Sequence, residues 1–221
     1  MASGAPSSRI VVVTGGASGP GEAIVHHFAS SGDLVVVADA DELLGRQVAD
    51  NLNAAGLHAE SETVDVTIEG EVAAMFDAIA ERHGRLDALV CSAGAGAHAP
   101  TDGLGTHNWL HALDVNVNGS LLCCKHGIPA IAGSGGGAVV LLGSSVDATS
   151  EPGRAAYEAS KGALIDLAHQ AAVEHAAAGV RVNVVAASGT DADALAKVAA
   201  TVGRVCANGA DYVNGAVVPL P

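Results

Sequence analysis

Residues 11–24 read VVVTGGASGPGEAI. A β-branched run ends at Thr14, four glycines (Gly15, Gly16, Gly19 and Gly21) follow within seven residues, and a helical pattern begins. A strand that turns through glycines into a helix leaves bare backbone where a phosphate can approach, and the helix N-terminus stabilises its charge. Taken alone the stretch also reads as a purely structural tight turn, so its meaning depends on its surroundings.

Those surroundings alternate. Strand-like runs stand at 9–15, 34–40, 58–66, 86–94, 137–145, 180–188 and 212–220. Several are continuously apolar, as parallel strands covered on both faces require. Helical patterns fill the gaps at 21–31, 42–55, 69–83, 106–131, 156–178 and 192–206, the first three stopped by Gly32, Gly56 and Gly84. The pattern predicts one α/β domain over residues 9–221, a Rossmann-type doubly wound parallel sheet of about seven strands with helices on both faces. Residues 1–8 read as a disordered lead-in, and no repeat or linker divides the remainder.

Composition narrows the function. The 221 residues carry a net charge of −14, which excludes nucleic acid and anionic membranes as expected partners. Aromatics make up only 2%, so the core must be built from Ala, Val, Leu and Ile. No apolar run approaches the roughly 20 residues of a membrane span, and MASGAPSSR lacks a secretory pattern. Cys91, Cys123, Cys124 and Cys206 have no metal-ligand spacing and read as reduced thiols, so a cytoplasmic location is expected. Of the ten histidines, His98, His107 and His111 fall near a pocket rim, but no metal site is expected.

Two further features suggest chemistry. The second strand ends at Asp39, where an acid can accept hydrogen bonds from an adenosine ribose and repel a 2′-phosphate. Asp41 is the better placed residue to cap the following helix. Tyr157 and Lys161 stand four apart on a helix and share a face. An ammonium beside a phenol favours the phenolate, which suits the pair to moving a proton on or off an alcohol oxygen. Ser144 can hydrogen-bond that oxygen, and donors aimed there stabilise the charge that develops on it.

Taken in order, these motifs resemble the short-chain dehydrogenase/reductase family, and the resemblance covers almost the whole chain. The family's TGxxxGxG stands here as Thr14 to Gly21, its Asp-Val pair as Asp65-Val66, and its active-site asparagine as Asn116 in DVNVNG. YEASK matches YxxxK at Tyr157 and Lys161, and Ser144 lies thirteen positions before the tyrosine. The adjacent Ser145 is the alternative, because strand alternation lets only one of the two face the site.

The resemblance implies an NAD(H)-dependent oxidoreductase interconverting a secondary alcohol and a ketone. Asn116, Ser144, Tyr157 and Lys161 would be its catalytic set. Gly15, Ser18, Gly19, Pro20, Gly21, Asp39, Asp65, Val66, Ala93 and Gly94 would hold the cofactor together with Tyr157 and Lys161. It also implies a homo-oligomer, tetramer or dimer, through the helices around 106–131 and 156–178.

The chain departs from the family pattern in three places. Pro20 stands where the family has Ile or Leu, and it lacks an N–H that commonly faces the pyrophosphate. CSAG (91–94) replaces NNAG. The long substrate lid after the sixth strand is reduced to AASGT before the next helix. An open site bordered by residues 95–105 and 146–153 is therefore expected, serving a small, cyclic and rigid substrate that needs little ordering. The departures also support an alternative: a non-catalytic partner of similar fold that binds cofactor weakly or not at all.

Overall fold

The computed structural model describes residues 8–96, 98–145, 152–207, 209 and 214–221. The expected lead-in lies outside them, apart from Ser8, as do residues 146–151 of the expected pocket border.

The strands are β1 (Ile10–Thr14), β2 (Leu34–Asp39), β3 (His58–Thr63), β4 (Ala88–Cys91), β5 (Gly137–Ser144), β6 (Val180–Ala187) and β7 (Val217–Pro219). They form one seven-stranded sheet in the order β3-β2-β1-β4-β5-β6-β7, with every pair parallel. The helices are α1 (Gly19–Ser30), α2 (Glu42–Ala54), α3 (Glu69–His83), α4 (Thr106–Leu113), α5 (Gly119–Gly133), α6 (Ala155–His175) and α7 (Ala192–Val205).

Strand alternation explains the continuous apolar runs. Val11 and Val13 of β1 face a layer containing Ile24 and Phe28 of α1, Leu52 of α2 and Val202 of α7. Val12, between them, faces the opposite layer, with Phe76 of α3, Ile128 of α5 and Leu164 of α6. Both faces of the central strands β1 and β4 are covered, so a polar residue in those runs would be buried without a partner, whereas the edge strands β3 and β7 keep exposed positions.

The predicted elements appear with shifted ends. β3 stops at Thr63 rather than 66, and β4 spans Ala88–Cys91 rather than 86–94. Asp65, Val66, Ala93 and Gly94 consequently stand in loops beyond the carboxyl ends of the strands. The single helix expected over 106–131 is divided by a π turn, Asp114–Asn118. Such a turn admits an extra residue into the helix and re-aims its side chains. The last helix of the 156–178 pattern ends in a 3₁₀ turn, Ala176–Ala178, closed by Gly179 at φ 75°. Of the strand expected over 212–220, Val217–Pro219 forms the strand, Asn214 and Gly215 form a turn, and residues 212–213 lie outside the described residues.

The sheet order places the site. β1 lies between β2 and β4, so the chain winds one way to β3 and then returns to the other side of β1. The crevice beyond the carboxyl ends of strands at such a switch point is where doubly wound folds take ligands.

Candidate active site

The glycine turn fills this crevice from β1. Gly15 has φ +63°, and a Cβ there would come within 2.6 Å of Ala93 Cα. Its missing side chain therefore lets the turn lie against the loop after β4. The Thr14 carbonyl accepts from Ser92 N–H at 3.2 Å, tying the same two segments. Gly19, φ +53°, has open space where a Cβ would be. Gly21 differs from both. Its Cβ would stand 1.9 Å from the Gly15 carbonyl oxygen, so its bare Cα lets α1 pack on the turn from behind. Pro20 occupies the first turn of α1, where a missing N–H costs the helix nothing.

Asp39, the last residue of β2, is fixed by backbone. Its Oδ2 accepts from Ala17 N–H and its Oδ1 from Asp41 N–H, both at 3.0 Å. Asp41 caps α2 by accepting from Leu44 N–H at 3.0 Å, so the cap falls to Asp41 as expected. Asp65 Oδ1 accepts from both the N–H and the hydroxyl of Thr67, at 2.9 and 2.7 Å.

Together these segments bound a cleft of about 390 Å³. Gly15, Ser18, Gly19, Pro20, Asp39, Asp65, Val66, Ala93 and Gly94 all line it, and Gly21, Tyr157 and Lys161 do not. Ser92 of CSAG, His111 of the expected pocket rim and Val115 of DVNVNG line it as well, none of them among the expected cofactor residues. His111 and Val115 arrive from α4 and the π turn, and only the path of that helix brings them near.

Tyr157 and Lys161 stand in the first two turns of α6, beside this cleft. Lys161 is 5% exposed, its Nζ donating to Leu142 O at 2.8 Å and lying 5.7 Å from the Tyr157 ring centroid. Burial lowers its pKa to about 8. Burial raises the Tyr157 phenol above its ordinary value, Arg154 opposes that rise, and Glu158 adds to it. Arg154 holds its guanidinium carbon 4.9 Å from the Tyr157 ring centroid, nearer than the Lys161 ammonium. Spacing along the helix points to Lys161 as the cation beside the phenol, and nothing in it singles out Arg154.

Asn116 is fully buried in the π turn. Its Oδ1 accepts from Ala95 N–H at 2.7 Å. Its Nδ2 donates to Ala95 O at 2.9 Å and to Ser160 Oγ at 2.8 Å. Ser160 Oγ in turn donates to Tyr157 O at 2.6 Å. Asn116 thus pins the loop after β4 and the first turn of α6 to one another. The glycines of that loop complete the contact: a Cβ on Gly94 would meet Lys161 Nζ at 3.5 Å, and one on Gly96 would meet Tyr157 Cδ2 at 3.7 Å. Ser144 closes β5 opposite Ala187, and Ser145 N–H donates to Ala187 O at 3.0 Å. Cys91, in place of the family asparagine, is buried against Cys123 and Cys124, whose hydrogen bonds push its thiol well up.

A second cavity of about 310 Å³ opens beside Tyr157, lined by Gly96, His98, Arg154 and the tyrosine. Ala99 N–H donates to Gly153 O at 3.0 Å, joining the loop after β4 to the turn before α6. On the far side, β6 runs through residues 188–191 directly into α7, whose cap is Asp191. No group of three metal-ligating side chains is found among the described residues. No described helix is long and apolar enough to cross a membrane.

A doubly wound sheet, a glycine turn and acid at its switch point, and a half-buried tyrosine beside a buried lysine define a Rossmann-type α/β protein. The chain belongs to the short chain dehydrogenase family, which it matches over residues 9–203. It is 37% identical over 197 residues to a cis-4-hydroxycyclohexanecarboxylate dehydrogenase from Sinomonas cyclohexanicum, covering 89% of this chain and 79% of that one. It is 34% identical over 184 residues to a 3beta-hydroxysteroid dehydrogenase from Mediterraneibacter gnavus, covering 83% and 66%. A crystal structure of a short chain dehydrogenase from Mycobacterium smegmatis superposes with a TM-score of 0.89 at 28% identity, covering 97% of this chain and 92% of that one.

Proposed function

We propose that this protein interconverts a secondary alcohol and a ketone on a small cyclic substrate, with NAD(H) as its redox partner. The observation that carries this reading is that the two cavities flank one short loop, Gly94 lining the first and Gly96 the second. The loop 94–96 borders both, with the Lys161 ammonium behind one glycine and the Tyr157 ring behind another.

The residues of the cleft fit a dinucleotide. Gly19 leaves its backbone open, Asp39 presents a carboxylate held in place, and Asp65-Val66 form the opposite wall. Bound there, NAD⁺ supplies the hydride acceptor for alcohol oxidation. Tyr157 takes the hydroxyl proton as the carbon loses hydride, and returns it to oxygen in the reverse direction. Ser144 holds the reacting oxygen, Lys161 carries charge beside the phenol, and Asn116 fixes the two segments that meet there. Replacing Ser144 and Ser145 separately by Ala assigns the hydrogen bond: loss of turnover belongs to the serine that makes it.

Asp39 supports NAD(H) over NADP(H), because it repels a 2′-phosphate. Both relatives described above are named for ring substrates, which agrees with the expectation of a rigid molecule in a site with so short a segment between β6 and α7. A homo-oligomer formed through α4, α5 and α6 is proposed from Leu110, Leu121 and Val173, which these helices expose.

The direct test is NADH and NADPH titration by fluorescence, followed by NAD⁺-dependent oxidation of cis-4-hydroxycyclohexanecarboxylate. Tighter NADH binding and measurable turnover are expected. Tighter NADPH binding would overturn the cofactor assignment. Pro20 favours one other reading, a non-catalytic partner subunit, since the turn lacks a donor there. Absence of binding by either dinucleotide would select it.

A further inference from the structure

The cavity beside Tyr157 contains a charge that proton transfer does not require. Arg154 lines it with Gly96 and His98, and it stands at the N-cap of α6 without capping the helix. A cation is the least suitable residue there. N-caps favour Ser, Thr, Asp or Asn, and the helix dipole adds positive charge at the same end. Glu158, one turn on, pairs with Arg154 Nη2 at 3.0 Å and steadies the guanidinium over the phenol ring. Both side chains remain about one-third exposed, at 33% and 36%. The chain has only ten Lys and Arg residues against 24 acids, so a cation at the wall of this cavity strongly shapes the field that a small anion meets there.

We propose that Arg154 is a specificity residue that binds a carboxylate at the end of the substrate remote from its reacting carbon. The inference rests on the reading above and names the substrate class: hydroxy- or oxo-carboxylates. With the guanidinium carbon 4.9 Å from the Tyr157 ring centroid, one substituted six-membered ring can reach the phenol at one end and the guanidinium at the other. An arginine offers five N–H donors in a planar fork that suits a carboxylate. The donors fix which way round the ring lies and so which carbon is presented for hydride transfer. The overall charge of −14 does not oppose a small anion, because the nearest fixed charges decide at contact distance.

The experiment compares cis-4-hydroxycyclohexanecarboxylate with its neutral primary amide, each oxidised with NAD⁺ by the unmodified protein, Arg154→Met and Arg154→Lys. The carboxylate is expected to be the better substrate. Arg154→Met should lower its kcat/KM about 10- to 100-fold more than that of the amide, mainly through KM, whereas removing the cation that opposes the rise of the Tyr157 phenol affects both substrates alike. Arg154→Lys should fall between them, since it keeps the charge without the fork. Calorimetric binding of cyclohexanecarboxylate, with and without NADH, reads the same contact without turnover. Equal wild-type preference for acid and amide, or equal losses on both in Arg154→Met, would overturn the proposal. So would carboxylate binding that Arg154→Met leaves unchanged. Arg154-dependent binding without oxidation of either compound would instead overturn the oxidoreductase reading and leave this one standing. Thermal melting of both variants within a few degrees of wild type establishes that the comparison is between folded proteins.

Discussion

At the scale of single residues, the proposed chemistry depends on two groups whose proton affinities are altered by burial. Burial lifts the Tyr157 phenol, so it is protonated at neutral pH and set to donate to a carbonyl. Alcohol oxidation needs the phenolate, so kcat/KM for oxidation should climb with pH into the alkaline range while reduction falls. Parallel pH profiles in both directions check this. Replacement of Tyr157 by Phe should remove turnover by about 10²–10⁴-fold and leave NADH affinity close to wild type. Substantial remaining activity would identify another base. Lys161 has the opposite thermodynamic sign from a stabilising ion pair. Its folded value of about 8 lies below the ordinary 10.5, so between those values the unfolded chain binds more protons. Stability contributed by this group therefore rises with pH through that window and is lowest below about 8. Lys161→Met should be inactive yet more stable at pH 7, on the order of 1–2 kcal/mol, with the gain shrinking towards pH 10. Denaturant titrations at both pH values measure it, and a less stable variant at pH 7 would contradict it.

At the scale of elements, the turn of the first βα unit both packs against its neighbours and lines the cleft. Gly15 and Gly21 are required by neighbours: a side chain at either meets backbone at 2.6 or 1.9 Å. Gly19 has open space on its side-chain face and lines the cleft. Pro20 stiffens the start of α1 but withholds a donor. Pro20→Leu should tighten NADH binding by about tenfold or more, as a hydrogen bond to a charged group does, at a small cost in stability. Calorimetry reads the change, and an unaltered or weaker affinity would show that this N–H does not face the pyrophosphate. The π turn between α4 and α5 is the other element whose shape arranges the candidate site. It turns the Asn116 amide toward Ala95 and Ser160, three hydrogen bonds that a regular helix over 106–131 would aim elsewhere.

For the whole molecule, exposed apolar side chains stand on both sides of the sheet, with Leu43 and Leu44 of α2 at 78% and 44% on one of them. Leu110, Leu121 and Val173 are 56%, 47% and 79% exposed, one each on α4, α5 and α6. One face of the sheet is covered by α3, α5 and α6 and the opposite face by α1, α2 and α7. A second copy burying the α5–α6 face would remove Leu121 and Val173 from water. Light scattering at micromolar concentration should give a dimer or tetramer, and a Leu121→Glu, Val173→Glu double variant should shift it toward monomer. A monomeric wild-type protein would remove the proposed interface.

The strand–helix alternation, the glycine turn, Asp39 and the Tyr157–Lys161 spacing are legible in the chain alone. Each is a local regularity: periodicity reports which faces are buried, and residues four apart on a helix share a side whatever lies around them. Element ends are less legible, because the exit of β3 at Thr63 and β4 at Cys91 depends on partners in neighbouring strands. Only the tertiary structure decided which groups meet. His111 and Val115 reach the cleft through the course of α4 and the π turn, and Gly21 supports the turn rather than lining the cleft. Lys161 is turned to Leu142 O, and Arg154 is the cation nearer the Tyr157 ring. Contacts of this kind join segments far apart in sequence, or depend on how a side chain is turned at a helix end, and no spacing rule within one helix encodes them.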